Sequence, residues 1–137
     1  MTDVEARDNT LRDTEIEMEV PAAGEYLSVL RTAAAGLAAR MNFTLDDIED
    51  LRIAVDEASS MLLAQANPGS RLQCRFVLGE DAVTFCASVR SRQPHLPSKE
   101  GFAWTVLTAL ASSVDVRLSE PDLLTIELTR QRPGAQG

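Results

Sequence analysis

Leu51-Arg52-Ile53-Ala54-Val55-Asp56-Glu57-Ala58-Ser59-Ser60-Met61-Leu62-Leu63-Ala64-Gln65-Ala66 is the stretch on which the reading of this chain turns. Ile48, Leu51, Val55, Ala58 and Leu62 recur three and four residues apart, the spacing of a helix with one apolar stripe. Asp56 and Glu57 interrupt that run with two carboxylates. A buried carboxylate without a partner is costly, so each must be paired or reach water. Upstream, Thr44 reads as the N-cap, and Asp47 at the third helical position resembles a capping box. Acids in the first turn suit the positive end of the helix dipole.

Working outward, a preceding helix is expected from about Glu25 to Met41, with Leu27, Leu30, Ala34, Leu37 and Met41 as its core stripe. Ser28, Arg31, Ala35 and Ala39 lie on another, polar or small face, and Asn42-Phe43 breaks the helix. Before it, Glu15 to Val20 alternates acid and apolar with a period of two, which marks a strand ended by Pro21. After Asn67-Pro68-Gly69-Ser70, a strong turn, come two strands. Leu72, Cys74, Phe76 and Leu78 share one face, then Val83, Phe85, Ala87 and Val89, with Gly79-Glu80-Asp81 as the hairpin. Residues Arg90 to Glu100 form a basic, proline-containing loop. A third helix follows from Phe102 to about Ser113, then strands over Val114–Leu118 and Leu123–Thr129. The order β-α-α-β-β-α-β-β gives an α/β two-layer sandwich, one domain over residues 14–130. Residues 1–13 are expected to be disordered, and 131–137 a flexible tail.

The chain of 137 residues, 45% apolar and 25% charged, is of the ordinary globular class. No apolar run approaches a membrane span and the start is not a signal peptide, so a cytoplasmic protein is expected, with no membrane partner. The net charge of −8 is concentrated. Residues 1–20 hold seven acids against two arginines, and residues 44–57 six acids against Arg52. Such a surface repels phosphate backbones, which argues against direct nucleic-acid binding, and steers a protein partner with a basic patch. Cys74 and Cys86 both fall inside strands, and His95 is the single histidine. That leaves no plausible zinc site and no Ser-His-Asp triad; the thiols are read as buried small hydrophobes.

Three segments carry a resemblance to a known family. They are Glu25-Tyr26-Leu27-Ser28-Val29-Leu30-Arg31, the run Phe43-Thr44-Leu45-Asp46-Asp47-Ile48-Glu49-Asp50 continuing to Ala58, and Gly101-Phe102-Ala103-Trp104-Thr105-Val106-Leu107-Thr108-Ala109-Leu110. With the strand order, they resemble the RsbW/SpoIIAB-like anti-sigma factors of the GHKL (histidine-kinase-like ATPase) superfamily, most of all the actinobacterial anti-sigma-F, or UsfX-like, branch. The resemblance spans about residues 14–130. It implies a Bergerat fold with a mixed, mostly antiparallel sheet and helices on one face. It also implies a homodimer that sequesters an alternative sigma factor of sigma-F/sigma-B type in the stress response. An anti-anti-sigma (STAS) protein would compete for the same surface.

The typical family member is also a serine kinase using Mg·ATP, which needs four parts. Glu57 matches the general base. The asparagine that holds Mg²⁺ is matched by Met61, a weak thioether acceptor. The Asp-x-Gly-x-Gly box corresponds to Ser88-Val89-Arg90-Ser91-Arg92, and the phosphate-cradling glycine loop to Gly101-Phe102-Ala103-Trp104, with one glycine left. Three of four parts are changed, so Gly101 and Met61 mark degenerate nucleotide positions. No cofactor is expected, ATP and Mg²⁺ entering only if the chain phosphorylates its antagonist after all. A non-catalytic sensor or scaffold on the same fold is a further alternative.

For Glu57 the readings are a relic base, an ion-pair partner of Arg52 or Arg31, or a rim carboxylate, with the structural roles favoured. Met61 and Trp104 are expected to fill the vacated pocket. Arg31 matches the arginine that family members use against both sigma factor and antagonist. Ser28, Thr32 and Ala35 complete the expected partner-binding face.

Overall fold

The computed structural model describes residues 14–132. The segment 1–13, expected to be disordered, lies outside the described residues, as do residues 133–137 of the expected tail. The elements are β1 (Thr14–Pro21), a 3₁₀ turn (Gly24–Tyr26), α1 (Leu27–Arg40), α2 (Leu45–Leu63), β2 (Arg71–Leu78), β3 (Ala82–Arg90), α3 (Phe102–Leu110), β4 (Ser113–Ser119) and β5 (Leu123–Gln131). The five strands form one sheet in the order β1-β2-β3-β5-β4. All four pairings are antiparallel, so the sheet is antiparallel throughout rather than mixed.

Strand alternation decides which face is covered. Leu72, Cys74 and Phe76 of β2, Val83, Phe85, Ala87 and Val89 of β3, and Leu124, Ile126 and Leu128 of β5 are all buried. They meet Leu27, Leu30, Ala34 and Ala38 of α1 and Leu51, Ala54, Val55, Ala58 and Leu62 of α2 in one core. Phe76 and Phe85 are opposite each other in register, with ring centroids 5.1 Å apart, a cross-strand pair that stiffens the centre of the sheet. The two-layer α/β sandwich is as the element order implies. The opposite sheet face carries Glu17, Glu19, Gln73, Arg75, Cys86 and Ser88, which line an open groove of about 570 Å³.

Boundaries differ from the sequence reading in places, each for a local reason. The first helix starts two residues late, because Gly24–Tyr26 is wound as a 3₁₀ turn. Its buried edge runs through Ala38, while Leu37 and Met41 only flank the core. Asn42 adopts φ 65° and ends the helix, a left-handed conformation that asparagine tolerates better than most residues. The third helix stops at Leu110, not Ser113. Ala111 turns extended and Ser112 N–H donates to Thr129 O at 2.7 Å, so strand pairing takes the chain over. β5 continues to Gln131, and Arg132 donates from its backbone and its guanidinium to Asp81 beyond it. No helix among the described residues is long and apolar enough to cross a membrane.

Candidate functional site

α1 turns Leu27, Leu30, Ala34 and Ala38 inward, so the residues 100° to 160° further round face outward along the seam with α2. Ser28, Arg31 and Ala35, spaced three and four apart, share that strip, and exposed Thr32 widens it. The expected partner-binding residues therefore form one surface. Arg31 is its single cation, and it is engaged: Nη1 donates to Asp56 Oδ1 of α2 at 2.5 Å. Ile53 and Ser60, three before and four after Asp56, are exposed on the same side of α2. Arg52 of α2 is held by Glu49, at 2.8 Å.

These two pairings correct one expectation. Glu57 pairs with neither Arg31 nor Arg52, and among the described residues it has no ion-pair partner. One residue on from Asp56, it is rotated about 100° around the helix, away from α1. Spacings of seven and four put Asp50, Glu57 and Met61 on one flank of α2, the flank that meets α3 through Arg130. Glu57 is half-buried there, which fits a rim carboxylate in contact with water. The Met61 side chain packs against the core. Trp104 is half-buried, with Lys99 Nζ 5.6 Å from its ring centroid.

Gly101 is the N-cap of α3 and supplies no side-chain cap. A Cβ added there would meet only Ser98 O, at 3.6 Å, an ordinary contact. Nothing local requires a glycine, and Phe102 beside it is 83% exposed. The donor set does not fit a hydrated Mg²⁺ and a triphosphate. A thioether stands where an oxygen ligand is needed, and the residues after β3 are Ser91 and Arg92 rather than an aspartate followed by glycines.

The loop that follows β3 is fastened down. Gln65, just past the end of α2, donates from Nε2 to His95 O and accepts from His95 N–H at Oε1, each at 2.9 Å. Asn67 accepts from Arg92 N–H through Oδ1 at 2.7 Å, and its own N–H donates to Arg90 O. Arg90 is paired with Asp122 at 2.6 Å, so part of the loop's basic charge is already neutralised. None of these ties was foreseen. In the sequence Gln65 reads as part of the helical run to Ala66 and Asn67 as the start of a turn.

A second feature that sequence reasoning missed is the cluster around Asp47. Thr44 caps α2 as expected, its Oγ1 accepting from Asp47 N–H at 3.2 Å and its hydroxyl donating to Asp47 Oδ2. Asp47 Oδ1 accepts from Arg130 Nη2, while Arg130 Nη1 donates to Leu110 O at the end of α3. Asp50 stands 3.2 Å from the same guanidinium. The Thr44 hydroxyl, and after it Arg130, hold the Asp47 carboxyl below its ordinary range against the opposing effect of burial. A signal was available: Arg130 continues the inward series Leu124, Ile126, Leu128, and Asp47 continues the inward series that includes Leu51, Ala54 and Ala58. Two opposite charges at inward positions imply each other.

No family model matches the chain. Among curated proteins it is similar to the serine-protein kinase RsbW of Bacillus thuringiensis (strain Al Hakam), Bacillus cereus (strain B4264) and Bacillus anthracis (strain A0248), 46% identical in each case over 55 residues. The match covers 40% of this chain and 34% of each relative, so the chain spans about a third of the length of the curated relatives it matches. Over that stretch the chain is RsbW-like, and the α/β sandwich with its helices on one face is consistent with that likeness.

Proposed function

We propose that this chain is an anti-sigma factor that holds an alternative sigma factor by stoichiometric binding and yields it to an anti-anti-sigma competitor. The observation that carries the reading is the α1–α2 seam. There Arg31 projects from a strip of small residues, Ser28, Thr32 and Ala35, which let a partner's backbone come close. An arginine on a flat, small-residue surface is a frequent interface anchor. The acids of α2 around it favour a partner with basic groups at its rim.

Sequestration without phosphate transfer is the form of the reading that the residues favour. Met61, Gly101 and the tied-down loop lack the donor set for Mg·ATP, and the residue four past Glu57 is Met61 rather than an asparagine. A homodimer, which the likeness implies, has an uncovered surface at hand in the open face of the sheet. Sedimentation of the purified chain tests that part.

The main test joins two measurements. A tagged chain expressed in its own host should co-purify with an alternative sigma factor, identified by mass spectrometry, and Arg31→Glu should not. Calorimetric titration with ATP and Mg²⁺ should give no saturable heat. Micromolar, Mg²⁺-dependent binding, with phosphate transfer to a STAS protein lost in Glu57→Gln, would put the kinase reading first. Recovery of no sigma factor would remove the anti-sigma reading.

A further inference from the structure

Arg31 and Asp56 face each other across the seam of α1 and α2, with side chains 34% and 39% exposed. A single hydrogen bond, Nη1 to Oδ1, joins them. A guanidinium carries five N–H donors in a planar fork. The other donors of Arg31 reach no acceptor among the described residues, so its outer edge is open to solvent. Arg52, the remaining cation on this side of α2, is held by Glu49. The seam thus contains one half-satisfied cation inside an acidic field.

We propose that Asp56 is an internal competitor for Arg31, the carboxylate that occupies its guanidinium until an acidic side chain of the partner arrives. The inference rests on the reading of α1 as the partner-binding face with Arg31 as its contact, and adds to it that competitor. An incoming Asp or Glu meets repulsion from Asp56 and Glu49 on this face except at Arg31. Docking there requires Asp56 to release the guanidinium or to share it. Exposed ion pairs are weak, so exchange is easy in both directions, which suits a partner that a competitor must later displace. Between partners, Asp56 keeps Arg31 aligned with the seam and out of non-specific contacts.

Calorimetry with the sigma factor recovered on the tagged chain tests this, using wild type, Asp56→Asn, Arg31→Gln and the double variant. The melting temperatures are compared first to establish that each is folded. Asp56→Asn should tighten binding roughly three- to tenfold, with the gain shrinking in high salt. Arg31→Gln should weaken binding, and adding Asp56→Asn to it should restore nothing. If Arg31→Gln weakens binding while Asp56→Asn leaves it unchanged or weaker, the competitor role is overturned and the partner face stands. If Arg31→Gln binds like wild type, or wild type binds no sigma factor, the reading of α1 falls and the proposal falls with it.

Discussion

Arg130 at the end of β5 and Asp47 in the first turn of α2, 83 residues apart in the chain, are joined by a hydrogen-bonded ion pair of 2.5 Å. Both side chains are largely shielded from water, at 19% and 8% exposure. The same arginine also donates to Leu110 O, the carbonyl of the last residue of α3. Three elements converge on one guanidinium. Removing it strands a buried carboxylate, and breaking such a pair costs about 3–5 kcal/mol. Arg130→Met should therefore destabilise by about that amount. Asp47→Asn should cost less, because Asp50 remains for Arg130. Urea denaturation of both variants checks the order; equal and small losses would contradict it.

Acid should weaken the same cluster. The Asp47 carboxyl is lowered in the folded state, first by the Thr44 hydroxyl and then by Arg130. A depressed carboxylate contributes stability above its unfolded value, about 3.9, and loses it as pH falls through the folded value. Unfolding free energy should therefore hold near neutral pH and fall below about pH 4. Asp47→Asn should flatten that part of the curve. An unchanged slope in Asp47→Asn would contradict this assignment.

The cap itself is separable from the ion pair. Thr44→Ala removes the acceptor for Asp47 N–H and should cost about 1 kcal/mol, while Thr44→Ser should lose little. Thermal melts of the two variants side by side decide it.

The loop after β3 should behave as a fixed strap. Gln65→Leu removes both hydrogen bonds between the Gln65 side-chain amide and the His95 backbone. Amide exchange at His95 should then rise steeply with little change at the core strands, since local opening is governed by such local ties. Unchanged exchange at His95 would show that Asn67 alone holds the loop.

The two thiols should differ in reactivity. Burial, and then the neighbouring Cys86, pushes Cys74 up to about 12, so almost no thiolate exists near neutral pH. Cys86 is also raised by burial, but Arg75 and Arg117 pull it back, and it lines the open sheet face. Iodoacetamide should label Cys86 first and Cys74 only on unfolding, as mass spectrometry of timed samples would show.

Much of this architecture is readable from residue spacing. The alternation of Glu15, Glu17 and Glu19 with Ile16, Met18 and Val20, and the three-and-four spacing from Ile48 to Leu62, place β1 and α2 directly. The outward face Ser28, Arg31, Ala35 and Ala39 follows from helix spacing in the same way. Local periodicity says nothing about which opposite charges meet across elements. Of the readings open for Glu57, a pairing with Arg31 or Arg52 is the one that fails, because one residue of helical rotation hands Arg31 to Asp56, while Glu49 holds Arg52. The Arg130–Asp47 pair and the Gln65–His95 tie belong to the same class, contacts set by how elements dock rather than by any one element.

The central claim is sequestration through α1, and transcription measures it most directly. Core RNA polymerase with the recovered sigma factor would be run on that factor's promoter, with increasing chain added before polymerase and no ATP-regenerating step beyond the nucleotides of the assay. The account predicts that transcription stops near one functional unit of chain per sigma factor, and that Arg31→Glu leaves it running. Full transcription at a large excess of wild-type chain, or equal inhibition by Arg31→Glu, would contradict it.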